Sequence, residues 1–316
     1  MALTGNVSLL DVAKNMPESR EAGVILTYAT SSHPLMVMPV ETQSSGVKKW
    51  KLANDLPYSD SASAYRNLEA EYTATKTPVQ PMAANFKIAG GRVKLDRVLK
   101  GLSPADSNIQ RVGQIQAQAR QLTKDIFEGA GGSYLWGITN QIASIPVYSG
   151  QSMDCGTVSA GAVITEDKLD ELISLVNVVP GQTYIYCNDA PTRRIKKLSR
   201  GQGTVASGSY FYNINYRPEE LGTFIGMYDG IPIITLKDGK GTDLLSNAEG
   251  DGSSTTVYIV TYGPENFTGF QVKPMTAYEL KEISVFEAFD IEWLIGTAMQ
   301  SVKCAARMRY VKNAVS

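Results

Sequence analysis

The residues of this chain that could do acid–base chemistry, bind a metal or cradle a phosphate are few and scattered. The single histidine, His33, precedes Pro34 with no cysteine or run of acids beside it. A general base needs a held partner within hydrogen-bond reach, so His33 reads as structural. Asp238-Gly-Lys-Gly-Thr-Asp243 superficially has the look of a calcium loop. Its third position, where such a loop places an oxygen ligand, is Lys240, and the pattern fails. The glycine groups at 129–132 and 201–208 lack a following Gly-Lys-Ser/Thr, and neither fits the dinucleotide fingerprint. No Gly-x-Ser-x-Gly elbow is present. Acid pairs such as Glu219-Glu220, or Asp167 with Asp170, read as solvated helix faces. Nothing here assembles into a catalytic set, so the chain is expected not to be an enzyme and to need no cofactor and no metal.

The composition bounds the alternatives. With 30 Lys+Arg against 31 Asp+Glu, the net charge is −1. A protein that grips phosphates continuously needs a basic face, and no bulk excess supplies one. Lys303, Arg307, Arg309 and Lys312 do fall in an acid-free C-terminal stretch. They read first as the charged face of a strand or tail. Cys155, Cys187 and Cys304 lie far apart without a Cys-x-x-Cys pair, which argues against a disulfide framework or zinc site and for a reducing compartment. No basic region followed by an apolar stretch opens the sequence, and no run approaches about 18 apolar residues. The sequons at Asn6 and Asn266 therefore read as chance matches, and a cytosolic product is expected.

The elements that position these residues follow from periodicity. Residues 1–34 read as an arm, with apolar pieces too short for a core. From Leu35 the sequence reads as strand through Glu41, turns at Ser44-Ser45-Gly46, and resumes as Val47-Lys-Lys-Trp-Lys-Leu52. A second extended segment covers about 77–99, where Val93 and Leu95 alternate with Lys94 and Asp96. A short helix near Asp60–Tyr72 would sit at the tip between them. Two arms of roughly 15–20 residues would each span about 50–65 Å, so the hairpin is expected to project. Ser103-Pro-Ala-Asp106 opens a helix over 104–128 with a capping box and a proline in the first turn. Its apolar stripe runs Ile109, Val112, Ile115, Ala119, Leu122, Ile126, its back is rich in glutamine, and Gly129 ends it. Such a helix is about 40 Å long. An α/β unit follows. It has a helix capped by Thr165, a strand at 183–187, a basic helix after Asn188, and strands at 230–235 and 256–262.

That order of parts (arm, projecting hairpin, one-sided spine helix, α/β unit, return strands) resembles the Hong Kong 97 type major capsid proteins of tailed bacteriophages. Four passages carry the resemblance. Ser32-His-Pro-Leu-Met-Val-Met-Pro-Val-Glu41 looks like the start of the family's E-loop hairpin, and Phe86-Lys-Ile-Ala-Gly-Gly-Arg-Val-Lys-Leu-Asp-Arg-Val-Leu99 like the strand returning from it. Gly226-Met-Tyr-Asp-Gly-Ile-Pro-Ile-Ile234 is similar to the Gly-x-Pro-Val strand of the axial domain, and Thr256-Val-Tyr-Ile-Val-Thr-Tyr-Gly263 to the strand after it.

The resemblance implies an α+β fold with an N-terminal arm at 1–34, an E-loop hairpin and return strand at 35–99, and a peripheral domain at 100–149 carrying the spine helix. An axial domain at 150–275 follows, and strands at 276–316 complete the peripheral domain. It implies a shell subunit that assembles with itself into the hexamers and pentamers of an icosahedral phage head enclosing double-stranded DNA. Expected partners are a separate scaffolding protein (the chain starts in the arm, with no prefix of about a hundred residues) and a portal. DNA would be touched only non-specifically, and no membrane is involved. The location would be the virion, and the host cytoplasm during assembly. Lys48, Lys49, Trp50 and Lys51 on the hairpin and Gln114 and Gln121 on the spine helix are the candidate inter-subunit contacts. Some members weld subunits through a Lys–Asn isopeptide bond, but no asparagine partner can be matched to the hairpin lysines. An encapsulin-type nanocompartment on the same fold, or an α/β enzyme binding a nucleotide or sugar phosphate through 165–262, are the alternatives.

Overall fold

The computed structural model of the chain describes residues 19–44, 46–53, 79–96, 98, 104–201, 214–218, 224–238, 240–250, 252–283 and 286–313. The first of these correct the expected arm. Ser19–Thr30 is a helix, α1, and Val24, Ile25 and Tyr28 on it are buried. Their three- and four-residue spacings place them on one face. The next passage is not a strand at its start either. Pro34, with its fixed φ, sits in the first turn of a short helix α2, His33–Val37, and Met38 N closes it on Pro34 O at 2.9 Å. Strand geometry begins only at β1, Val40–Thr42.

The hairpin forms from β2, Val47–Ala53, and β3, Val79–Asn85, antiparallel with Val47 opposite Asn85 and Ala53 opposite Val79. The tip helix expected at 60–72 lies outside the described residues. At Phe86, whose ring meets Phe270 edge-on at 4.9 Å, the chain leaves the hairpin and continues as β4, Lys87–Asp96. Val93 points inward and Lys94 outward, as the alternation requires. Val98, just beyond β4, is exposed.

The spine helix α3, Pro104–Glu128, matches its expected span, although its capping box falls outside the described side chains. Ile115, Ala119, Leu122 and Ile126 are buried, whereas Ile109 is exposed. Gly129 follows because nothing larger fits: a Cβ there would stand 2.4 Å from both Asp125 O and Leu135 O. Then come α4, Ile138–Ser144, β5, Ser152–Asp154, and α5, Glu166–Ser174. Thr165 caps α5 by accepting from Lys168 N. They are followed by β6, Thr183–Cys187, α6, Asp189–Gly201, β7, Ile214–Pro218, β8, Phe224–Tyr228, and β9, Ile231–Thr235. The last strands are β10, Ser254–Thr261, β11, Phe267–Gln271, β12, Thr276–Ile283, β13, Phe286–Met299, and β14, Ala305–Lys312.

Two large sheets organise these strands. One runs β5-β14-β10-β6-β9-β8-β7; the other runs β1-β11-β13-β12, with β4 along the free edge of β13. The expected boundaries at 275 and 276–316 therefore move. β11 belongs to the five-stranded sheet, and β14 belongs to the seven-stranded one, between β5 and β10, instead of completing the peripheral sheet. The basic C-terminal stretch is accordingly no free tail. Arg307 is buried and donates to Ser152 Oγ at 3.1 Å, and Arg309 is paired with Asp154 at 2.9 Å.

Alternation along the seven-stranded sheet divides the core in two. Ile185, Cys187, Val257 and Ile259 face α5 and α6, meeting Leu169, Leu172 and Ile195. Tyr186, Tyr258 and Val260, one residue out of step, face the other way and join the core shared with the spine helix and the five-stranded sheet.

Candidate assembly surfaces

Each hairpin residue expected to contact a neighbouring subunit finds its place by strand alternation. Lys48, Trp50 and Leu52 share one face of β2, opposite Ala84, Met82 and Gln80 of β3. That face is inside the protein: Trp50, Leu52, Met82 and Ala84 all belong to the main core. Trp50 stands beside the Tyr148 hydroxyl, its indole N–H buried without an acceptor. Lys48 is buried too, and Glu41 of β1 neutralises it in an ion pair, as a buried ammonium requires. Lys49 and Lys51 lie on the opposite, exposed face. The described stem of the hairpin is therefore packed on the body and does not project. Of the four hairpin residues assigned to inter-subunit contact, Lys48 and Trp50 are engaged within their own chain.

The spine helix shows the same division. Gln114 Nε2 donates to Lys94 O of β4 at 3.4 Å. Gln118 lies so close to β4 that a Cβ on Gly91 would come within 2.8 Å of its amide nitrogen. The glutamine side expected to meet a neighbour's hairpin is covered, at these two positions, by the chain's own β4. Gln121 remains exposed and donates to Asp125 Oδ1 at 3.0 Å.

The outer face of the five-stranded sheet is what the sequence reading missed. Register places Ile88 beside Leu294, Arg92 beside Asp290, and Tyr278 on the other side of Asp290. Ile88 is 75% exposed, Tyr278 47% and Phe286 40%. The Arg92–Asp290 pair, at 2.7 Å, lies among them. Singly exposed apolar residues need no explanation; a row of them across one sheet face invites a cover. The alternation Ile88, Gly90, Arg92 against Ala89, Gly91, Val93 carried this signal.

Glu219-Glu220 and residues 202–208 lie outside the described residues; the other groups that could do chemistry are held as follows. His33 Nδ1 stands 3.0 Å from Tyr186 OH, and its ring meets that of Tyr184 edge-on at 4.7 Å. Burial pulls its pKa down to about 4. Burial pushes the Cys187 and Cys304 thiols up to about 12, far from the thiolate a nucleophile needs. Asp238 accepts from Lys240 N and Thr242 N at 2.8 and 2.9 Å, which makes its loop a self-closed turn. Among the described residues no three His, Cys, Asp or Glu side chains cluster as metal ligands, and no helix is long and apolar enough to cross a membrane.

No protein-family model and no curated protein sequence matches this chain. Solved structures do. The holo-SrpI encapsulin complex from Synechococcus elongatus matches with a TM-score of 0.61 at 12% identity, over 88% of this chain and 87% of that one. The capsid of a native GTA particle matches at 0.57 and 11% identity, over 90% of each chain. A chain of Mycobacterium phage Patience matches at 0.54 and 12% identity, over 98% of this chain and 89% of that one. The fold is thus the Hong Kong 97 type shown by phage capsid and encapsulin chains alike.

Proposed function

We propose that this chain is a shell subunit, the major capsid protein of a tailed phage, which assembles with itself into the hexamers and pentamers of a DNA-filled head. The observation that supports this most is the extent of the structural likeness. The match covers 90% of this chain and 90% of a particle's capsid subunit. The role is structural and not catalytic. On this reading a separate scaffolding protein and a portal act with it, DNA is touched non-specifically, and the protein passes from host cytoplasm into the virion.

The likeness to an encapsulin at a TM-score of 0.61 supports a second reading, a nanocompartment shell built on the same fold. Electron microscopy of negatively stained protein, purified from cells expressing it alone and with its neighbouring genes, separates the cases. Closed shells, tubes or rings of capsomers are expected. A compact 34 kDa monomer at micromolar concentration and moderate salt overturns the shell reading. Shells that load a protein cargo and never DNA favour the nanocompartment.

A further inference from the structure

Between the spine helix and the end of β9 lies a cavity of about 90 Å³. It is walled on one side by Arg120 and Thr123 of α3, with Ser32 and His33 at the start of α2, and on the other by Thr235 and Lys237. Among the described residues no carboxylate lines it. Elsewhere Arg92 pairs with Asp290, Arg193 with Asp189, and Arg309 with Asp154. Among the described residues none forms an ion pair or hydrogen bond with Arg120, although it is partly buried. Lys237 pairs with Asp189 at 2.8 Å, which occupies one of its three donors.

The hydroxyls of the wall are already committed. Thr123 donates to Ala119 O at 2.8 Å and shares its other contact with Ser32. Thr235 is bonded to Thr192 at 2.9 Å. The cationic donors among the lining side chains are a guanidinium and an ammonium, which cannot accept. A matching occupant must therefore accept hydrogen bonds and carry negative charge. Asp189 already balances the charge of Lys237, so Arg120 brings the uncompensated positive charge, and a phosphate, anionic near neutral pH and rich in acceptor oxygens, can answer both groups. The cavity is well short of the roughly 300 Å³ that drug-sized ligands require.

We infer that this cavity is a binding site for one small phosphate-type oxyanion, held between Arg120 of the spine helix and Lys237 beyond β9. The bound ion ties the spine helix to the seven-stranded sheet at a point where no protein carboxylate does so. The inference concerns a single subunit and stands or falls independently of the shell reading.

The probe is inorganic phosphate, titrated calorimetrically into the purified full chain at constant ionic strength, with chloride and acetate as comparators. Saturable binding with near-unit stoichiometry is expected for phosphate, and none for chloride. The Arg120→Gln variant should lose at least tenfold in affinity, and Arg120→Lys, which keeps the charge without the planar fork, should fall between. Lys197→Gln, on the exposed surface of α6, should bind as the unaltered protein does. A rise in melting temperature alone does not decide, because phosphate stabilises folded proteins generally by exclusion. Absence of saturable binding, equal affinity in Arg120→Gln, or acetate binding as tightly as phosphate overturns the inference. If Arg120→Gln does not fold, the Arg120→Lys variant and the acetate comparison still decide. A blunt DNA duplex without terminal phosphates should not displace the ion. If it does, the surface is a nucleic-acid groove, and the cavity assignment is wrong.

Discussion

The ring of Phe127, on the last turn of the spine helix, lies 5.0 Å from that of Tyr186, at the middle of the seven-stranded sheet. Tyr258 stands 5.1 Å from Phe127 on the neighbouring strand β10. Helix and sheet are joined through this aromatic seam, and all three side chains are fully buried. Replacing Phe127 by Ala should cost about 3–5 kcal/mol through lost burial and the cavity left behind, and Phe127→Leu substantially less. Urea unfolding followed by tryptophan fluorescence measures both. An Ala variant within about 1 kcal/mol of the unaltered protein would mean the seam carries little of the junction's stability.

His33 sits at the same junction and makes stability depend on acid. Its folded pKa is about 4, against an ordinary 6.5, because burial disfavours the charged ring. The unfolded chain therefore takes up the proton first as pH falls. The stability due to neutral His33 is complete above about pH 6.5 and is lost progressively between there and about pH 4, up to about 3 kcal/mol. His33→Gln should flatten this part of the profile while the carboxylate contributions remain. Parallel stability curves for the two proteins between pH 7 and pH 4.5 would rule it out.

The hairpin stem divides by strand parity. Trp50→Ala should destabilise by about 3 kcal/mol, since it empties a place in the main core. Trp50→Phe should cost clearly less, because it keeps an aromatic ring in the core and removes a poorly satisfied buried N–H. Lys49→Ala and Lys51→Ala, on the exposed face, should stay within about half a kcal/mol. Any defect in those two should appear in assembly, read by light scattering, and not in thermal melts. For the same reason, replacing 44–80 by a short linker should lower the melting temperature, because it deletes Trp50 and Leu52 along with the hairpin tip.

How much of this was legible depended on whether a buried face showed a single period. The spine helix, β6 and β10 did, through Ile115-Ala119-Leu122 and Tyr-Ile-Tyr or Val-Tyr-Ile-Val runs, and their places were readable. Helix α1 was not, because Val24, Ile25 and Leu26 form a continuous apolar run before Tyr28 and Leu26 is exposed, so no single face shows in the sequence. Strand β14 was misread because Arg307 and Arg309 look like solvent-facing residues. The partners that take them in, Ser152 and Asp154, lie some 155 residues away. The same holds for the candidate contacts. The turn between Glu41 and Lys48 was legible but the ion pair across it was not, and Gln114 is claimed by a backbone carbonyl of β4. Long-range pairing of a polar group leaves no local signature.

The spine helix offers the sharpest comparison. Ile115 and Leu122 are buried seven residues apart on its apolar stripe. An aspartate at either place would be an unpaired buried charge, costing several kcal/mol, and should abolish soluble protein. Gln121, one position before Leu122, is exposed, yet Gln121→Glu is not wholly silent. It replaces the donor to Asp125 by a second carboxylate one turn away. Burial already holds the pKa of Asp125 above its usual value, and the Gln121 hydrogen bond works against that rise. With the bond lost and a like charge added, the Asp125 pKa should climb further. The variant should lose a few tenths of a kcal/mol near neutral pH and recover as pH falls and the pair protonates. Gln114→Glu, which turns a donor toward Lys94 O into an acceptor, should show a loss of similar size with no recovery tied to Asp125. Both glutamate variants should fold. If either unfolds while Ile115→Asp or Leu122→Asp stays soluble, the helix face assigned to the core is the wrong one.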